Sequence, residues 1–301
     1  MSKFRAWIAA FRLRTLPLAL SSIIMGSFVA AYYHYFRWEV ALLAGLTTLF
    51  LQILSNLAND YGDTQNGADH EGRKGPRRMV QSGVISALEM KRMIIVFAML
   101  SFIAGIWLIA ISLGDIMSWK ALMFLLLGIG AIAAAMKYTM GKNPYGYRGL
   151  GDVYVFLFFG LAGVVGTWFL HSGQWNFWVL LPASAVGFLS AGVLNLNNMR
   201  DFESDRTAGK NTLVVKLGVP LAKRYHLSIL VLSFICLLVF VLFQSFSWVH
   251  LMFLIAVVLI VAHARRVVMV KELQDLDPEL KRLALSTLLI VMLFGTGLLI
   301  G

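Results

Sequence analysis

Nine apolar runs govern what this chain can become: roughly residues 16–36, 39–60, 92–113, 119–138, 152–171, 177–199, 226–245, 248–265 and 283–300. About 20 helical residues, rising ~1.5 Å each, cross the ~30 Å hydrocarbon core of a bilayer. Hydrocarbon offers no water to a peptide group, so each run has to close its own hydrogen bonds as a helix. The expected fold class is therefore all-α: a polytopic bundle of about nine transmembrane helices, one domain over residues 1–301, embedded in a lipid bilayer. A mean hydropathy of +0.78, with only 14% charged residues, excludes a soluble domain of this length. Pro182 falls inside the sixth run, where a membrane helix tolerates a kink.

The charges are sorted by connection. Arg73, Lys74, Arg77, Arg78, Lys91 and Arg92 follow the second run, and Lys137, Lys142 and Arg148 follow the fourth. Arg200, Arg206, Lys210, Lys216, Lys223 and Arg224 follow the sixth; Arg265, Arg266, Lys271, Lys281 and Arg282 follow the eighth. Only Arg37 and Lys120 fall on the other side. The positive-inside rule then puts the N-terminus and these connections in the cytoplasm and the C-terminus outside. It also accounts for the net charge of +11, so no nucleic-acid partner is expected. Residues 1–14 read as a basic amphipathic surface segment, and 61–91 and 200–225 as long cytoplasmic loops. The apolar run after Arg14 is too long for a cleavable leader. Ser86-x-x-Glu89 has capping-box spacing, and Asp277-Pro278-Glu279 reads as a cap followed by a first-turn proline. Cys236, the single cysteine, sits among apolar residues and reads as packing. The six histidines form no i, i+3 or i, i+4 pair, which gives no sign of zinc or haem.

Two of the apolar runs end on acids. Asn56, Asp60 and Asp63 stand at i, i+4 and i+7 with Asn59 beside them, so a helix puts them on one face. Asn197, Asp201 and Asp205 repeat the pattern at i, i+4 and i+8. Polar residues that merely wet a helix end are the bland alternative. A helix C-terminus carries negative dipole character, however, and clustered carboxylates repel one another there unless a cation intervenes. Oxygen ligands suit a hard cation, Mg²⁺ above all, and Mg²⁺ between carboxylates points to a phosphate. Since the acids close the second and sixth runs, spans one to four and five to eight read as two versions of one four-helix unit, with the ninth added.

Asn59-Asp60-x-x-Asp63 and Asn197-x-x-x-Asp201-x-x-x-Asp205 resemble the two aspartate-rich motifs of the UbiA-type intramembrane prenyltransferases. Arg12-Leu-Arg14-Thr-Leu-Pro17, Gly75-Pro76-Arg77-Arg78 through Gly83, Tyr145-Gly-Tyr147-Arg148-Gly-Leu-Gly-Asp152 and Asp205-Arg206-x-x-Gly209-Lys210 are similar to the menaquinone branch, the 1,4-dihydroxy-2-naphthoate polyprenyltransferases. The resemblance implies a bacterial inner-membrane enzyme in which Mg²⁺ clamps a polyprenyl diphosphate and the resulting allylic cation alkylates 1,4-dihydroxy-2-naphthoate. It implies metal binding by Asp60, Asp63, Asp201 and Asp205, with Asn56, Asn59 and Asn197 as neutral ligands or supports. Arg78 and Lys210 are candidates for diphosphate contacts, and Asp152, Tyr145 and Tyr147 for the acceptor pocket. Arg14 is a candidate for the acceptor carboxylate, and Lys137 with Tyr138 for reaching substrate from the end of the fourth span. Two departures stand out. The third acid of the family's first motif is replaced by Gly67, the next acid being Asp69, and the Tyr-x-x-x-Lys of the fourth span is absent because Ala133 precedes Lys137 by four. A prenyltransferase for 4-hydroxybenzoate or haem is the nearest alternative. A cation-coupled transporter is the alternative of another class.

Overall fold

The computed structural model describes residues 2–67, 78–244 and 246–301. Asp69, Arg73, Lys74 and Arg77 lie outside the described residues. Among those described there are nine helical segments long and apolar enough to cross a membrane. A short α1 (Lys3–Phe11) leads into α2 (Leu16–Tyr32), followed by α3 (Trp38–Gln65), α4 (Ala87–Leu113) and α5 (Trp119–Lys137). Next come α6 (Gly151–Ser172) and α7 (Phe177–Arg200), then two short helices, α8 (Phe202–Thr207) and α9 (Leu213–Leu217). The last three spans are α10 (Val219–Phe243), α11 (Trp248–Met269) and α12 (Asp277–Ile300).

The helices outrun the apolar runs chiefly at the acid-bearing end. α3 continues to Gln65 because its polar residues satisfy the backbone there: the Thr64 hydroxyl donates to Asp60 O (2.8 Å) and the Asn66 amide to Gly62 O (3.0 Å). Asp60 and Asp63 are therefore helical, and the loops expected over 61–91 and 200–225 are narrower. Ser86 and Glu89 form the expected capping box. Asp277 does not cap α12. It already has helical dihedrals, and its carboxylate is drawn to Arg14 and Arg200.

Packing closes the bundle on itself. α3 packs on α4, α4 on α5, α7 on both α6 and α10, and α12 on α11, α7 and α2. The α12–α2 seam requires a glycine: a Cβ at Gly295 would lie 2.1 Å from the Phe28 ring. The main core holds Trp168, Phe169, Phe240, Phe253 and Phe294. A second cluster joins Ala6 and Ala10 of α1 to Leu54 and Leu57 of α3, Met90 and Ile94 of α4, and Met79 and Ile85 between them. Exposed Phe4 and Ile8 beside Lys3 and Arg5 give α1 the amphipathic face expected of it. Residues Phe156–Val165 of α6 are π-helical, a wide-turned geometry that concentrates at functional sites. Histidines scattered in sequence also meet: His226 Nε2 lies 3.0 Å from His263 Nε2, and His263 Nδ1 2.7 Å from Glu279, tying α10, α11 and α12 together.

Candidate active site

The last two turns of α3 send their acids to different tasks. Asp60 accepts the backbone N–H groups of Met79 (2.9 Å) and Val80 (3.0 Å), and Met79 is itself buried in the second core, so this carboxylate holds the loop. Asp63 turns the other way. Its oxygens accept from Arg78 Nη2 (2.7 Å) and the Tyr147 hydroxyl (2.9 Å). Gly62 lets α3 lie against the end of α5, because a Cβ there would sit 2.6 Å from the Thr139 carbonyl carbon. The Thr139 hydroxyl is 3.0 Å from Ala58 O and 3.1 Å from Asn59 Oδ1, which fixes the Asn59 side chain.

The second motif is organised by a guanidinium. Arg200, with a side chain only 3% exposed, donates Nε and Nη2 to the two oxygens of Asp201 (2.8 Å each). Its Nη2 also reaches Asn197 Oδ1 (2.9 Å), and Nη1 reaches Asp277 Oδ1 (2.6 Å), whose other oxygen takes Arg14 (3.3 Å). The chain then restarts as α8, which carries Asp205. Lys210 Nζ lies 3.6 Å from Asp205 Oδ1 and 3.8 Å from Asp63 Oδ1, and 5.1 Å from the Tyr147 ring centre. One ammonium thus joins the two acid rows, which stand far apart in the chain.

Two cavities meet at this point. A polar one of about 170 Å³ is bounded by Asn59, Asp63 and Arg78 on one side, by Asn197, Asp201, Asp205 and Lys210 on another, and by Arg12, Arg14 and Lys281. An apolar one of about 360 Å³ runs between α3, α4, α5 and α6, past Phe158, Phe159 and Gly166. They share Gln52, Asn59, Tyr138, Val155, Phe159 and Leu194. Burial, reinforced by the nearby carboxylates of Asp152, Asp63 and Asp205, pushes the Tyr138 phenol far above its ordinary range, so the junction keeps a hydroxyl donor. Burial likewise raises Tyr145, whose hydroxyl donates to Ala134 O (2.9 Å) from the wall of the apolar cavity.

Several expectations change. Asp60 is a loop anchor, its oxygens taken by two amides, and is not among the groups facing the polar cavity. Asn56 lines that cavity; its amide donates to Phe11 O (2.9 Å) and Thr15 Oγ1 (3.0 Å) and its oxygen accepts from Gln52 (3.3 Å), so it also clamps the α1–α2 elbow. Lys137 is exposed and lines neither cavity, so a catalytic role is not supported. Asp152 is buried against Tyr225 and also lines neither cavity, and the Tyr147 hydroxyl donates to Asp63. Tyr145 belongs to the apolar cavity. Sequence reasoning missed Arg200 and Asp277. Arg200 looked like one more cytoplasmic positive charge, although its place directly before Asp201 was a usable signal.

The polar cavity presents oxygen donors only, from Asn59, Asp63, Asn197, Asp201 and Asp205, a set that fits a hard divalent cation. Among the described residues no three acids, histidines or cysteines stand close enough to hold one ion. Arg78, Arg200 and Lys210 balance the acids in this arrangement.

The model of the UbiA prenyltransferase family matches residues 19–288. The chain is 44% identical over 301 residues to the 1,4-dihydroxy-2-naphthoate octaprenyltransferase of Escherichia coli (strain K12), covering 100% of this chain and 97% of that protein. The protein of the same name from Mycobacterium leprae is 36% identical over 248 residues, 82% of this chain and 81% of its own. In fold the chain is similar to a UbiA homolog from Archaeoglobus fulgidus bound to GPP and Mg²⁺, with a TM-score of 0.69 at 17% identity over 98% of this chain and 100% of that one. An apo UbiA homolog from Aeropyrum pernix K1 gives 0.67 at 16% identity, over 100% and 98%. The chain belongs to the UbiA prenyltransferase family.

Proposed function

We propose that this protein transfers a polyprenyl group from polyprenyl diphosphate to 1,4-dihydroxy-2-naphthoate in the synthesis of menaquinone, releasing CO₂ and diphosphate. The observation that carries the reading is the shared junction of a polar, doubly acidic cavity with a long apolar one. A polyprenyl diphosphate has this division, an anionic head on an apolar tail. Relatives at 44% identity across the whole chain, named as naphthoate octaprenyltransferases, support the acceptor.

In this reading the diphosphate lies between Asp63 and Asp205, within reach of Arg78 and Lys210. The tail passes Tyr138 and Phe159 into the apolar cavity. Asp63, Asp201 and Asp205, with Asn59 and Asn197 in support, would hold Mg²⁺, which would neutralise the charge that develops on the departing oxygens. The C–O bond to diphosphate breaks, leaving an allylic carbon short of an electron pair. The ring carbon bearing the carboxylate supplies that pair and forms the new C–C bond. The bond to the carboxylate then breaks, returning its electrons to the ring as CO₂ leaves. Arg78 and Lys210 hold the leaving group, which needs no protein nucleophile. Tyr138, kept protonated, can donate to the diphosphate. The apolar walls exclude water that would otherwise capture the cation. The basic connections support the cytoplasmic face of a bacterial inner membrane as the side on which this chemistry runs.

The test uses membranes containing the protein, given a polyprenyl diphosphate and either 1,4-dihydroxy-2-naphthoate or 4-hydroxybenzoate, with and without EDTA. Prenylated naphthol and CO₂ are expected only with naphthoate and free Mg²⁺. Turnover of 4-hydroxybenzoate alone, or turnover indifferent to EDTA, would overturn the reading.

A further inference from the structure

The polar cavity contains two polar groups with no assigned task. Arg78, Arg200 and Lys210 pair with acids, and Arg14 reaches Asp277. Lys281, also lining the cavity, makes no ion pair with any described residue. Ser190, in the same wall, is 1% exposed, and its hydroxyl has no hydrogen-bond partner. A buried hydroxyl without a partner costs stability unless a ligand or water takes it. Ser190 lies seven residues before Asn197 on α7, which puts it about 10 Å deeper in the bundle. The same cavity has apolar wall residues from the helices around them: Leu18 from α2, Val193 from α7, and Leu280 and Ala284 from α12. This strip lies on the α12 side of the cavity, whereas the tail cavity opens from the α3–α5 side.

We infer that Lys281 and Ser190 bound a subsite for a flat aromatic hydroxy-acid, with its carboxylate at Lys281, its ring against Leu18, Val193, Leu280 and Ala284, and its far hydroxyl at Ser190. The inference rests on the naphthoate reading above and deepens it. In 1,4-dihydroxy-2-naphthoate the carboxylate and the 4-hydroxyl stand meta on one ring and project from different edges of it, so in this subsite one molecule meets both side chains. The subsite also assigns Lys281 a specific kinetic role. The carboxylate loses its charge as CO₂ forms, so an ion pair with Lys281 is made to the bound acceptor and weakened in the transition state. Removing it should raise the acceptor KM without lowering kcat.

The experiment measures KM for each substrate in detergent-solubilised Lys281→Met, Lys281→Arg and Ser190→Ala, together with inhibition by 1-hydroxy-2-naphthoate, which lacks the far hydroxyl. Lys281→Met should raise the acceptor KM roughly tenfold while the donor KM holds, and Lys281→Arg should restore it. The wild type should prefer the dihydroxy acid over the monohydroxy analogue by roughly tenfold, and Ser190→Ala should bring that ratio towards unity. Lys281 is exposed, so its variants fold even should Ser190→Ala destabilise the bundle. Naphthoate turnover with an unchanged acceptor KM in Lys281→Met overturns the subsite and leaves the reaction standing. A wild type that binds naphthoate through Lys281 by equilibrium dialysis, yet never prenylates it, overturns the reaction and leaves the subsite.

Discussion

The ends of α3 and α7 carry the same signature, an apolar run closing on Asn and Asp at helical spacing, yet the fold uses them differently. At the end of α3 the acids divide: Asp60 is fixed by the amides of Met79 and Val80, while Asp63 faces the cavity against Arg78 and Tyr147. At the end of α7 the acid stays with its chain neighbour, since Arg200 grips Asp201 and Asn197 and joins them to Asp277. In the first case a loop brings the balancing cation, and in the second the helix carries its own. The lesson is that spacing alone puts residues on a face, whereas the loop that folds over that face decides which of them do chemistry.

The sharpest way to break this comparison is to exchange the acids of α3. Asp63→Asn removes a carboxylate that would hold Mg²⁺ against the proposed diphosphate, so kcat should fall by about 10³, within the range for loss of a preorganised charge-stabilising group. The purified protein should still fold, with a lower melting temperature because the buried Arg78 guanidinium loses its charged partner. Near-normal turnover would mean that Asp63 only anchors Tyr147. A smaller but still large effect is expected from Arg200→Met, which strands Asp201 in a buried setting. Turnover should fall by about 10², and Arg200→Lys should recover only part because the bidentate fork is lost. Full activity in the lysine variant would show that charge, not orientation, is what Arg200 supplies.

Asp60→Asn should do less. An amide oxygen can still accept one of the two N–H groups, but its NH₂ then opposes the other donor, at a cost of about 1–3 kcal/mol. Activity should fall roughly tenfold, with faster protease cleavage between residues 78 and 86, while the Mg²⁺ concentration for half-maximal rate stays put. A shift in that concentration comparable to the one in Asp63→Asn would restore Asp60 to the metal set.

Most of the fold was legible because hydrocarbon permits so few structures. Nine runs became, among the described residues, nine helices long and apolar enough to cross a membrane, and Ser86 and Glu89 gave their capping box, since both follow from local physics. The site was legible to the level of two converging acid rows. Which member of each row faces inward was not, because Asp60 and Asp63 differ by the position of Met79, nineteen residues beyond Asp60 and fixed by a core shared with α1. The pairing of Asp277 with Arg200 spans 77 residues and was hidden because Asp-Pro-Glu reads so well as a helix start. The His226–His263 contact was invisible for the same reason, as it joins separate helices.

The smallest expected effect tests the comparison from outside. Lys137 ends α5 beside Tyr138, and by sequence the pair looked like one functional unit. The structure separates them: Tyr138 is at the junction of the two cavities, whereas Lys137 is exposed and lines neither. Lysine at the end of a membrane helix places its charge in the polar interface and its stem along apolar neighbours, and it favours the helix C-terminus electrostatically. Lys137→Met should therefore leave kcat and both KM values within about twofold, since a surface substitution away from buried features is worth ~0.5 kcal/mol. Tyr138→Phe, which removes only the junction hydroxyl, should instead raise the KM for the prenyl donor several-fold with little effect on the acceptor. Equal losses in the two variants would mean that the end of α5 acts as one unit after all, and that the division between cavity-facing and outward residues drawn at α3 does not extend to α5.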